Sequence, residues 1–203
     1  MTANAGRPLS ATAASDSFFT IGHSTRPFAE FAELLVQSRI EALADVRTVP
    51  RSRTNPQYDG KVLGQSLAEC GIAYEHIAAL GGLRGRQHDT PPETNASWQN
   101  ASFHNYADYA LSAAFEDGLA ALHALAHRRP CAIMCAEAVW WRCHRRIIAD
   151  YLLTRGAVVH HILGRERIEP ARLTEAARPG PGGTLVYPAR DAASASLLVS
   201  STR

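Results

Sequence analysis

The stretch that most limits what this chain can fold into is Cys131-Ala-Ile-Met-Cys-Ala-Glu-Ala-Val-Trp-Trp-Arg-Cys-His-Arg-Arg146. It opens with an apolar run, Ala132 to Ala136, bounded by Pro130 and by a polar turn. An apolar run without alternation reads as a strand buried on both faces of a parallel sheet. The stretch leads into a helix, because Ile147, Ile148, Tyr151 and Leu152 fall on one side and Gly156 is a natural stop. Cys135, Glu137, Arg142, Cys143, His144 and Arg145 stand between strand and helix. The carboxyl ends of parallel strands form the binding crevice of an open α/β sheet, so function is expected at this junction.

The rest of the chain supplies partners for such a strand. Further strands are expected near 17–22, 41–46, 73–78 and 157–163, beside the one at 131–136. A helix carries Phe28, Phe31, Leu34 and Leu35 on one face, with Ser24 or Thr25 as its cap and Pro27 in its first turn. Another runs from Lys61 to Glu69 and stops at Gly71. Phe103, Tyr106, Ala110, Leu111 and Ala114 mark a longer face, where Gly118 weakens the middle and leaves one helix or two. Ile168 to Ala177 reads as a short helix opened by Pro170. Residues 86–102 are polar and Pro/Asn-rich, too long for an ordinary connection, and read as a lid or a mobile insertion. Residues 1–15 read as a disordered tail, 16–190 as a single α/β domain and 191–203 as a flexible tail. The alternation of strands and helices implies a three-layer α/β/α fold with a mostly parallel five-stranded sheet, Rossmann- or flavodoxin-like.

Composition adds limits rather than identity. A formal net charge of +2 demands neither nucleic acid nor membrane as partner. Lys61 is the sole lysine, and the arginines cluster as Arg47, Arg51 and Arg53 and as Arg142, Arg145 and Arg146. Arginine's fixed fork suits phosphate or carboxylate, and arginine also replaces lysine throughout GC-rich genomes. No run approaches the roughly 18 apolar residues of a membrane span. The N-terminus lacks a signal-peptide layout, so a cytoplasmic protein is expected, its four cysteines thiols.

Three strand ends carry chemistry: Gly22-His23-Ser24, Asp45-Val-Arg47, and Cys135-Ala-Glu137 with Cys143-His144-Arg145. In a parallel sheet they share one edge, so His23, Asp45, Arg47, Glu137 and Arg145 should surround one pocket. Each also has a plain structural reading: His23 as a cap, Asp45 with Arg47 as an ion pair, Cys135 as a small core residue. Glu137, beyond a buried strand and before a helix with arginines in its first turn, should be partly buried, paired and ionised. Cys135, Glu137, Cys143 and His144 have the right types for zinc, but seven residues separate the cysteines, unlike the compact pairs of structural sites. Adjacent Cys143 and His144 would also point about 100° apart on a helix. A phosphatase- or rhodanese-type loop fits poorly, since Cys135 to Arg142 is one residue longer than C-x5-R and contains Trp140 and Trp141. The helix start, with Arg142 and Arg145, suits an anion and would lower the pKa of Cys143 in its first turn. The tryptophans either stack a base or plug the core rim.

Taken in order, Ile21-Gly-His-Ser24, Asp45-Val-Arg47 with Pro50 and Asn55-Pro-Gln57, Gly71-Ile-Ala-Tyr74, Leu80-Gly-Gly82, Phe103-x2-Tyr-Ala107, Cys135-Ala-Glu137 and Cys143-His-Arg145 resemble the bacterial DUF488 family over about residues 18 to 190. That family is defined as a domain of unknown function, so the resemblance implies a fold and a shared site but no reaction. Relatives tend to carry a polar, Lys- and Pro-containing link where this chain has Ala138-Val-Trp-Trp-Arg142.

The leading expectation is an enzyme, a hydrolase or group transferase, acting on a nucleotide-like or nucleic-acid substrate. Glu137 is its general acid/base, Asp45 a second carboxylate, and His23 a proton shuttle or orienting group, as is His144; Cys135 is an alternative nucleophile. Ser24, Arg47, Arg53, Cys143, His144 and Arg145 are the candidate substrate-binding groups, and a phosphate-bearing small molecule or nucleic acid the candidate partner. No cofactor is expected, with zinc as the exception to test. The alternatives are a non-catalytic nucleic-acid-binding or regulatory module using Arg51-Ser-Arg53, and a thiol or metal sensor built on Cys135, Cys143 and His144.

Overall fold

The computed structural model describes residues 17–189, and the tails expected at 1–15 and 191–203 lie outside the described residues. Five parallel strands, β1 (Ser17–Gly22), β2 (Ala42–Asp45), β3 (Ala73–His76), β4 (Cys131–Cys135) and β5 (Val158–Gly164), form the sheet with β6 (Arg167–Pro170), which is antiparallel to β5. Their spatial order is β3-β2-β4-β1-β5-β6. A small ribbon of β7 (Arg178–Pro179) and β8 (Leu185–Val186) follows.

β4 is the centre of the sheet because all five of its residues are buried. Its alternate side chains feed two cores. Ala132 and Met134 join Ile21 and Leu43 against α1 (Phe28–Gln37) and α2 (Gly60–Glu69), through Phe31, Leu34, Leu35, Leu63 and Leu67. Cys131, Ile133 and Cys135 face the other way. There α3 (Ala101–Tyr109), α4 (Ala113–Ala126) and α5 (Arg145–Thr154) pack through Tyr106, Phe115, Leu119, Ile147 and Ile148. Each such aliphatic or aromatic side chain stabilises the fold by about 1.5–3 kcal/mol when fully buried. The layers are therefore helix, sheet, helix. Among the described residues no helix is long and apolar enough to cross a membrane.

Several expectations need correction. The sheet has six strands rather than five, and β4 lies between β2 and β1, which is neither the Rossmann nor the flavodoxin order. The helix expected over Ile168 to Ala177 is β6 and a turn. The connection through Arg165 and Glu166 is too short for anything but an antiparallel return, and Glu166 at φ 55 hides the turn behind a residue that does not announce one. Neither Ser24 nor Thr25 caps α1, whose N-cap is Pro27 with no side-chain bond. α4 runs straight through Gly118, where a Cβ would meet Leu80 at 2.9 Å, so that glycine serves packing rather than a break. Residues 86–102 are tied down rather than loose. Asn95, fully buried, donates to Asp108 at 2.8 Å and accepts from the Tyr187 amide at 2.9 Å, and Trp98 stacks on Phe103.

Gly22 decides whether β1 and β4 can end side by side. Beyond the strands the ladder continues, His23 N–H to the Cys135 carbonyl and Ser24 N–H to the Ala136 carbonyl, both at 3.0 Å. This brings the chain after β4 directly over Gly22, so a Cβ there would fall on the Glu137 carbonyl oxygen. Backbone cannot yield as a side-chain tip can, so Gly22→Ala should cost about 2–4 kcal/mol. At Gly85 a Cβ meets nothing within 4 Å, and Gly85→Ala should stay within about 0.5 kcal/mol of the parent. Thermal melts check this; equal melting temperatures for the two variants would contradict the packing described.

Candidate active site

Because β4 lies between β2 and β1, residues that follow three neighbouring strand ends meet in one cleft of about 510 Å³. β1 contributes His23, the chain after β2 contributes Arg47 to Val49 with Arg51 and Ser52, and β4 contributes Cys135, Ala136 and Glu137. Arg142, Cys143 and His144 complete the floor, while Leu83, Phe103 and Tyr106 form an apolar wall.

At the floor two sulfurs touch: Cys135 Sγ lies 2.6 Å from Cys143 Sγ, and both are free cysteines. Cys143 is extended (φ −137, ψ 148), between a single 3-10 turn at Trp140–Arg142 and α5. The divergence expected of Cys143 and His144 on a helix does not arise, because α5 begins at Arg145. His144 Nδ1 instead comes within 3.5 Å of the Cys143 sulfur, while Nε2 donates to the Val46 carbonyl at 2.9 Å. A carbonyl only accepts, so Nε2 carries a hydrogen and Nδ1 is the nitrogen presented to sulfur. Gly82 leaves the room this ring occupies, since a Cβ there would land on it.

Arg145 braces the sulfur from behind. Its Nε is 3.3 Å and its backbone N–H 3.5 Å from Cys143 Sγ, and its Nη2 donates to the Glu137 carbonyl at 2.7 Å. Burial alone raises the Cys143 pKa. The Cys135 thiol, His144 and Arg145 outweigh it and hold Cys143 well below the ordinary thiol range. Cys135 moves the other way, pushed well above its usual value by burial and by its bond to Cys143. Of the two touching thiols, Cys143 is therefore the one whose thiolate is favoured, and Cys135 the one that holds its proton more tightly.

A second buried cation sits at the end of β2. Asp45 is fully buried and accepts from Arg47 Nε at 2.9 Å, from Arg47 Nη2 at 2.5 Å and from the Tyr74 hydroxyl at 2.7 Å. Arg47 Nη1 in turn reaches His23 Nε2 at 3.4 Å, and His23 Nδ1 donates to the Ser24 carbonyl at 2.8 Å with its ring stacked 4.1 Å over Tyr58. Burial, with help from Arg47, lowers the His23 pKa to about 4, so the ring is neutral at neutral pH.

The sequence-derived residues thus divide. His23, Arg47, Cys135, Glu137, Cys143 and His144 line the cleft. Asp45 and Arg145 lie behind it, their polar atoms spent on neighbours, and position Arg47 and Cys143 rather than meet a ligand. Ser24, at φ 49, is outside the lining and orients His23 through its carbonyl. Arg53 is exposed and outside the lining, where its loop neighbours Arg51 and Ser52 take part instead. The partly buried, paired Glu137 is also corrected. It is exposed, no described residue bonds its carboxylate, and its backbone carbonyl takes Arg145. Trp140 is spent on His161, stacked at 4.3 Å, and its buried indole N–H has no hydrogen-bond partner among the described residues. Tyr58, Tyr74 and Tyr106 were not singled out for this site by sequence. Tyr74 carried a usable signal, as a phenol on the strand beside β2, two residues before His76, which is the register partner of Asp45.

Cys135, Cys143 and His144 present two sulfurs and a nitrogen within 4.8 Å, a soft donor set. Two sulfurs on one tetrahedral zinc stand about 3.7 Å apart for bonds of about 2.3 Å. The touching pair would have to separate, and a cation would meet the Arg145 charge, so as they stand these residues do not fit a metal.

The two buried neutral histidines set a pH dependence. His161, paired with Thr20 at 2.7 Å, is lowered to about 4 by burial and then by Arg145 and His160, as His23 is by burial and Arg47. Between pH 6.5 and about 4 the unfolded chain binds protons the folded chain refuses, so stability is full above this window and falls as pH drops through it. The loss over the whole window should be about 3 kcal/mol per histidine. In melts between about pH 6.5 and 5, where carboxylates contribute little, His161→Gln should remove about half of the decline; an unchanged slope would contradict this.

Neither a curated protein nor a solved structure matches the chain. A family model does, over residues 27–152, which takes in every candidate group except His23 and Ser24. With more than half of its length matched, the chain belongs to the family described as domain of unknown function DUF488.

Proposed function

We propose that the cleft is the active site of a hydrolase or group transferase that uses Cys143 as nucleophile on an anionic, nucleotide-like or nucleic-acid substrate. The observation that carries the reading is the line Cys143 Sγ, His144 Nδ1, His144 Nε2, Val46 carbonyl. A sulfur nucleophile, a histidine in reach of it and a third group that fixes the ring are the signature of covalent catalysis. Arg145 adds a guanidinium and a backbone N–H on the sulfur, which favours the thiolate.

Substrate class follows from the walls. Arg47, Arg51 and Arg142 offer planar donors for phosphate oxygens. Phe103, Tyr106 and Leu83 offer the apolar surface a base or aryl group needs. The thiolate attacks phosphorus or an acyl carbon; the sulfur bond forms as the bond to the leaving oxygen breaks, and that oxygen keeps the electron pair and is protonated from solvent. Water or an acceptor hydroxyl then attacks, its proton passes to the Glu137 carboxylate on the cleft wall, and sulfur departs as thiolate. The reading assigns the protein to the reducing cytoplasm, where such a thiolate survives.

Aryl phosphate and aryl ester probes test the reading. Acid-quenched wild type should carry the transferred group on the Cys143 peptide, and Cys143→Ser should lose turnover on the order of 1,000-fold. Glu137→Gln should keep stability within about 0.5 kcal/mol, since the side chain is exposed, while slowing release so that the adduct accumulates. Undiminished turnover by Cys143→Ser would end the assignment.

A further inference from the structure

We propose that Cys143 and Cys135 form a peroxide-sensitive pair, in which a small hydroperoxide oxidises Cys143 and Cys135 closes a reversible disulfide that withdraws the nucleophile. This rests on the reading of Cys143 as the reactive thiolate, and it assigns a task to Cys135, a cleft-lining thiol that the proposed reaction leaves unused.

Placement is the first argument. Cys135 ends β4, hydrogen-bonded in the sheet to β1, and Cys143 is held by Arg145 and His144. The sulfurs lie 2.6 Å apart, so closing the cross-link asks for an approach of only about half an ångström. Access is the second. Cys135 is 2% and Cys143 3% exposed, and both meet solvent through the cleft. A hydroperoxide can enter where a protein thiol cannot. Selectivity is the third. Cys131 is completely buried in β4 with its thiol pushed up to about 12 by burial, and Cys70 is exposed at the end of α2, so neither shares this environment.

The steps balance. The Cys143 thiolate attacks one peroxide oxygen, the S–O bond forms as O–O breaks, and the departing hydroxide or alkoxide takes a proton from solvent, leaving a sulfenic acid. Cys135 then attacks that sulfur; S–S forms, S–O breaks, and the hydroxide leaves as water with the Cys135 proton. Two electrons from the thiol pair reduce one peroxide, and a small dithiol returns them.

The test uses the full chain carrying Cys70→Ser, treated with equimolar hydrogen peroxide, blocked with iodoacetamide and mapped by mass spectrometry. The expected product has lost two hydrogens and yields a linked Cys135–Cys143 peptide, with probe turnover lost and then restored by dithiothreitol. In Cys135→Ser the same treatment should leave a sulfenic acid on Cys143 that dimedone traps. If reduced protein forms the Cys143 adduct with aryl probes but peroxide leaves both thiols alkylatable, the disulfide proposal is overturned and the nucleophile assignment stands. If the disulfide forms and no aryl adduct ever does, the redox pair is supported and the nucleophile assignment fails.

Discussion

The contact on which the site depends is the one between the Arg145 guanidinium and the Cys143 sulfur. Arg145 is 1% exposed, and a buried cation costs several kcal/mol unless a charge and hydrogen bonds compensate it. Among the described residues no carboxylate bonds it; the Cys143 sulfur and the Glu137 carbonyl take that part. The requirement runs both ways, because the buried thiolate needs Arg145 as much as Arg145 needs it. One pair therefore sets the protonation of the nucleophile and ties the end of β4 to the start of α5.

The same arrangement repeats across the cleft. Arg47 is compensated by Asp45 and Tyr74 and leaves one guanidinium nitrogen toward His23 and the open space. Both buried arginines are held by groups behind the wall, so their positions are fixed before any ligand arrives. Such preorganisation lets fixed charge act without reorganisation during a reaction. The sheet order makes this economical: with β4 between β2 and β1, Arg47 hangs from a neighbour of the strand that carries Cys135, and Arg145 from the helix that follows that strand.

Much of this was legible in the residues. β4 and β1 were readable because their apolar runs are buried on both sides, and the shared edge followed from parallel pairing. Glu137 was misread because a carboxylate after a buried strand resembles a buried partner for arginine. The backbone turns there, and the carbonyl does that work. Asp45 was misjudged as a ligand-facing group because nothing in Asp45-Val-Arg47 says which member points outward; Tyr74, two strands from the cleft's centre, decides it. The cysteines looked too far apart for the compact pair of a structural zinc site, and no local rule reveals that an extended Cys143 folds the link back onto β4. Strand order, the β6 return at Glu166 and the Val46 carbonyl leave no side-chain trace at all.

The most direct measurement of the central claim is the pH dependence of Cys143 alkylation in full-length Cys70→Ser protein, followed by iodoacetamide incorporation at the Cys143 peptide. The account predicts a rate that rises to its plateau below neutral pH, far under the ordinary thiol value of about 8.5. A rate that climbs only above about pH 8.5 would mean that Cys143 is a protonated, buried packing residue, and the site as described would not exist.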